Sequence, residues 1–180
     1  MRITGKLLAT LLLGVTITAA PSQDVIRVRE WRAKNERQIL AELIQLVSLP
    51  NIASNKADIA KNADLLTTLF ERRGFAVRRI ATPGSPVVYA ERVAQNARGA
   101  LTFYFHYDGQ PTEAKDWTIG QPFAPVAMRG TTRVDLATDA AIDPDTRIYA
   151  RAVADDKGPI VAFLAAIDGL IASDRKSTRL

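Results

Sequence analysis

Leu101 to Pro111, L-T-F-Y-F-H-Y-D-G-Q-P, joins an apolar run rich in β-forming residues to a histidine and an aspartate. Successive side chains of a strand point to opposite faces, so His106 and Asp108 are predicted to project on one side and Tyr107 on the other. Leu101, Thr102, Phe103, Tyr104 and Phe105 leave neither face plainly polar. The stretch is therefore predicted to be a central strand covered on both sides, with His106 and Asp108 at its carboxyl end, where sites in α/β sheets collect. A histidine followed two residues on by a carboxylate reads as a ligand with its supporting acid, or as a hydrogen-bonded structural histidine. H-x-D alone leaves both open.

Upstream, the chain reads as scaffolding for that strand. Leu40, Leu43, Ile44 and Val47 recur at helical spacing and predict a long helix from Asp24 to about Ser48, stopped by Leu49-Pro50-Asn51. Ile59, Ala63, Leu66 and Phe70 predict a second helix from Lys56 to Arg73, with Gly74 where a left-handed cap is wanted. Phe75 to Ile80 and Pro86 to Val93 read as strands around the turn Thr82-Pro83-Gly84-Ser85. The fold class expected from this order is α/β, a mixed sheet flanked by helices. Before all of it stand Arg2 and Lys6, the apolar stretch Leu7 to Ile17, and small residues through Ala20. Residues 1–20 are read as a secretory signal peptide, an uncleaved anchor being the alternative, and either way the domain is expected to be exported, periplasmic or secreted.

Downstream of Pro111 a weakly patterned segment runs to about Arg147, of a length that is usually functional or decorated with small strands. Then comes R-I-Y-A-R-A-V-A-D-D-K-G-P, Arg147 to Pro159, opening a helix with Ile160, Phe163, Leu164, Ile167 and Ile171 on one face. Asp155 and Asp156 stand just before that helix, where unpaired N–H groups favour negative charge. One of them can be an ordinary N-cap, and only one acidic residue is needed to cap.

Composition sets outer bounds. The 180 residues are 47% hydrophobic, enough for one globular domain with a core. The net charge of +5 comes from scattered basic residues with clusters at the two ends, so nucleic acid is not an expected partner. Cysteine is absent, which excludes disulfides, thiolate metal sites, a cysteine nucleophile and a lipid-modified cysteine.

The chemistry that would use His106, Asp108 and Asp155 is metal chemistry. A neutral imidazole is a good zinc ligand, and a carboxylate behind its other nitrogen fixes the tautomer. A further carboxylate from another strand-to-helix junction can bridge two ions about 3.5 to 4 Å apart, and Asp155 is the candidate. H-Y-D-G-Q-P after a hydrophobic strand, then A-D-D-K-G-P opening a helix, resembles the M20 family of zinc metallopeptidases, which includes carnosine dipeptidases, carboxypeptidase G and acetylornithine deacetylase. The likeness runs from about Asp24 to Ala172, takes in the L-V-S-L-P helix ending, and is greatest to the dipeptidase branch.

The resemblance implies a partial zinc-exopeptidase-type catalytic domain over residues 21–172. It implies His106 as a ligand of one zinc, Asp108 as the aspartate that orients the histidine, Asp155 as the bridge between two zincs, and a cis peptide between Asp155 and Asp156. Cobalt or manganese can stand in for zinc. The substrate implied is a peptide or N-acyl amino acid, the parent protein a homodimer, and no stable membrane partner is expected after signal cleavage. The family's Y-G-R-G is Tyr149-Ala150-Arg151-Ala152 here. The family's adjacent glutamates and late histidine have no counterpart, since His106 is the sole histidine and no glutamate follows Glu113. Residues 173–180 break the helical pattern and are read as an atypical tail, a truncated frame being the expectation. The chain as written is expected to bind zinc poorly and to lack a general base. The rival readings are a non-catalytic exported module or inactive remnant in which His106 and Asp155 are structural and, last, a metal-dependent phosphoesterase.

Overall fold

Two capped helices begin the fold. The computed structural model describes residues 22–137 and 142–173; the predicted signal peptide 1–20 lies outside them, as does the tail beyond Ser173. The Ser22 hydroxyl accepts a hydrogen bond from the Val25 N–H and starts α1 (Gln23–Val47). Asn55 likewise accepts from the Asp58 N–H at the head of α2 (Lys56–Glu71), and Gly74 follows that helix at φ +76°. Both helices lie where the apolar spacing placed them.

A hairpin of β1 (Ala76–Ile80) and β2 (Val87–Glu91) comes next, antiparallel with Ala76 opposite Glu91. The long segment after Pro111 carries a 3-10 turn at Ala114–Asp116 and three short strands, β3 (Val126–Arg129), β4 (Thr132–Val134) and β5 (Arg147–Tyr149), paired antiparallel in the order β4-β3-β5. The last element, α3 (Lys157–Ala172), packs along α1. Leu46, Leu66, Leu69, Ile160, Val161 and Leu164 bury the common core of the three helices. Arg73, after α2, ties them at the rim, bonding Glu42 of α1 at 2.9 Å and Asp168 of α3 at 2.7 Å. The class is α/β as expected, helices with small antiparallel sheets. No helix among the described residues is long and apolar enough to cross a membrane.

The stretch from Leu101 to Asp108 departs from its reading. It carries no strand ladder among the described residues, and only Gly109 makes a bridge, parallel, to Ile52. One face is partly packed: the rings of Phe103 and Phe105 lie 4.7 and 5.5 Å from that of Phe163 on α3, and the Tyr107 hydroxyl donates to the Pro86 carbonyl. The other is open, with Tyr104 86% exposed. Alternation of side chains thus holds, but coverage on both sides does not. A strand acquires its hydrogen bonds from neighbours, and none of the described segments forms a ladder with this one before Gly109.

Candidate metal centre

Two segments far apart in the chain meet at His106. Its Nε2 lies 2.7 Å from Asp155 Oδ1, supplied by the turn before α3. Its Nδ1 lies 3.0 Å from the Asp108 carbonyl oxygen and 3.5 Å from Asp108 Oδ1. His106, Asp108 and Asp155 are therefore brought together, the nearer partner of Nδ1 being the main chain of Asp108 rather than its carboxylate.

That geometry places a proton on Nδ1. A carbonyl only accepts, so Nδ1 carries the hydrogen and a neutral ring turns the Nε2 lone pair toward Asp155. Two acceptors then face each other across 2.7 Å. A proton between them turns this repulsion into a charge-assisted hydrogen bond, whereas a metal ion, which stands about 2 Å from each donor atom, requires the pair to part. Burial of His106 works to lower its pKa, but the Asp155 hydrogen bond, the Asp108 carbonyl and the charges of Asp155 and Asp156 outweigh it, and the pKa is raised.

Asp156 occupies the N-cap position of α3 without capping it. No side-chain cap bond is made. Its Oδ2 accepts instead from the His106 main-chain N–H at 3.2 Å, and the Asp155-Asp156 peptide is cis. At position 158 only a glycine fits, because a Cβ there would run into the Val153 carbonyl oxygen.

Lys157 was not singled out by sequence reasoning, yet it is fully buried, its Nζ donating to the carbonyls of Leu46 at 2.8 Å and Leu49 at 2.7 Å. Burial pushes its pKa down to about 7. A neutral amine has two hydrogens, and both acceptors are in place. The one signal was the lysine's place in A-D-D-K-G-P, which reads equally as a solvated first-turn residue.

As donors, an imidazole nitrogen and a carboxylate oxygen fit zinc in kind. In number they do not complete a site: zinc takes about four ligands, and the described residues contain no cluster of three or more His, Cys, Asp or Glu able to hold a metal ion. A histidine and a carboxylate from separate junctions of the scaffold thus supply two donors of the kinds that metal ions take.

No family model matches the chain. The Cys-Gly metallodipeptidase dug1 of Schizosaccharomyces pombe is 20% identical over 148 residues, 75% of this chain and 28% of the relative. The human Beta-Ala-His dipeptidase is 26% identical over 93 residues, 52% of this chain and 15% of the relative. Among solved structures, the di-peptidase Dug1p from Saccharomyces cerevisiae superposes with a TM-score of 0.66 at 18% identity, over 83% of this chain and 31% of that one. The M20 family metallo-carboxypeptidase Sso-CP2 from Sulfolobus solfataricus gives 0.60 at 34% identity, over 76% and 28%. The homologues and structural neighbours of this chain are thus M20 family metallopeptidases, and the chain is related to them over the part of their length that it spans. That part is less than a third of each.

Proposed function

We propose that this chain contributes part of the metal centre of an exported amidohydrolase of the M20 type, one that cleaves a peptide or N-acyl amino-acid bond. The observation that carries the reading is the convergence of His106 Nε2 and Asp155 Oδ1, on residues 49 positions apart in the chain. His106 and Asp155 are the residues that would hold zinc, with Asp155 the carboxylate able to reach a second ion. Zinc bound there lowers the pKa of water and polarises a carbonyl. The chain's own residues do the preparatory work. The Asp108 carbonyl holds the proton on Nδ1, leaving Nε2 as the donor, and Asp156 holds the His106 main chain against the α3 junction. Peptide substrates are supported by the names of the relatives, and export by the apolar leader.

The two-donor count favours a second reading, an inactive chain in which His106 and Asp155 form an ion pair and nothing more. Because His106 is the sole histidine, a zinc titration followed through its ring nitrogens separates the two. The metal reading expects the Nε2 resonance to move with zinc and the response to vanish in Asp155→Asn. In a version extended to the length of the relatives, His106→Ala should abolish dipeptide hydrolysis and lower the zinc stoichiometry. An Nε2 resonance indifferent to zinc, or full activity in His106→Ala, sinks it.

A further inference from the structure

We propose that the elbow at the end of α1, Leu46 to Ala53, is the frame that sets the His106 to Asp155 approach, with Lys157 and Asn51 as positioning residues. The proposal rests on the reading of His106 and Asp155 as a donor pair.

The elbow grips both halves of the centre. On the histidine side, the fully buried Asn51 donates through Nδ2 to the Tyr107 carbonyl at 2.9 Å, one residue from His106. The Gly109 N–H donates to the Asn51 carbonyl at 2.7 Å, and the Ala53 N–H donates to the Gly109 carbonyl at 2.9 Å. Contact is close enough that a Cβ on residue 109 would stand 3.1 Å from Asn51 Nδ2. On the aspartate side, Lys157, two residues after Asp155, reaches the Leu49 carbonyl and the Leu46 carbonyl, which also accepts from the Leu49 N–H at 3.3 Å.

The remaining edge is the Asp156 carboxylate on the His106 N–H. Elbow, Tyr107, His106, Asp156, Lys157 and elbow again make a closed ring of hydrogen bonds and short chain segments, and the donor pair lies across it. Capping α1 alone does not call for a buried lysine from so far along the chain. Desolvating an amine costs several kcal/mol, and a hydroxyl such as that of Ser48, which already donates to the Ile44 carbonyl at 2.7 Å, serves a helix end without that cost. What the lysine adds is a fixed distance between α1 and the turn that carries Asp155.

The test uses the whole chain labelled with 15N-histidine. Two quantities are read: the position of the His106 Nε2 resonance without metal, which reports the contact with Asp155, and the zinc concentration at half-response. Lys157→Met and Asn51→Ala, shown folded by far-UV circular dichroism, should both move the metal-free resonance toward that of Asp155→Asn and raise the zinc midpoint about 10 to 100-fold, the usual effect of changes behind a ligand. Ile167→Ala, a core truncation further along α3, should move neither. The inference is overturned if a folded Lys157→Met or Asn51→Ala variant keeps both wild-type values, or if Ile167→Ala shifts them equally. Should Lys157→Met fail to fold, Asn51→Ala and Asn51→Asp decide by the same criterion. Zinc that leaves the wild-type resonance unmoved counts against the metal reading alone, and the positioning is then judged on the metal-free resonance.

Discussion

The helix α3 and the stretch Leu101 to Asp108 each carry an apolar face, and they meet different fates. In α3, Ile160, Val161 and Leu164 are all but inaccessible, whereas Leu101 is 63% and Phe103 55% exposed. The two touch through Phe163, so each sits beside the same core. The difference lies in the backbone. A helix satisfies its own N–H and C=O groups and asks its surroundings only for a surface on which to bury one face. A strand satisfies none of them by itself, so its N–H and C=O groups stay open until neighbours align on both edges, and its apolar side chains until something covers its faces.

Amide hydrogen exchange should show this contrast at its largest. The amides of α3 should exchange only through global opening, orders of magnitude more slowly than those of Leu101 to Phe105. Equal protection in the two would mean that the stretch is paired after all. Next in size is Leu164→Ala, which empties a fully buried position on α3 and should cost about 2 to 5 kcal/mol in urea unfolding. A loss near zero would place the core elsewhere.

The buried amine that begins α3 supplies a smaller effect with a definite sign. The folded-state pKa of Lys157, about 7, lies below the ordinary lysine value of 10.5. Between the two the unfolded chain binds the extra proton, so this group's contribution to stability is complete above the unfolded pKa and is lost as pH falls through about 7. Raising the pH from 7 to 9 should add about 2 kcal/mol through this group, a gain that Lys157→Met removes. Parallel pH curves for the two proteins would show the amine charged throughout. Smallest of all is Tyr104→Ala, at an 86% exposed position, which should change stability by less than about 0.5 kcal/mol. A cost of several kcal/mol there would reveal a second covered face and dissolve the contrast.

The same division explains what was legible beforehand. The limits of α1 and α2, the hairpin around residues 82–85 and the start of α3 follow from caps, breakers and periodicity within a few residues, and each appears near its expected place. At the site, His106 and Asp108 sharing a side followed from the two-residue repeat of extended chain, and their 3.5 Å side-chain approach agrees with it. Asp156 reaching the His106 N–H instead of capping α3 could not be read, because both bonds suit the same residue and only the neighbouring segment selects between them.

By itself the sequence determined which segments are helical, where they start and stop, and which residues have the chemistry of a metal centre, because these depend on interactions across one or two turns and on side-chain type. Tertiary structure alone decided that Lys157 is buried against the end of α1, that Asn51 braces the histidine segment, and that the exposed Asp155 side chain stands against His106. Those contacts join residues 49 to 111 positions apart, and their energies exist only once the chain has brought the partners together.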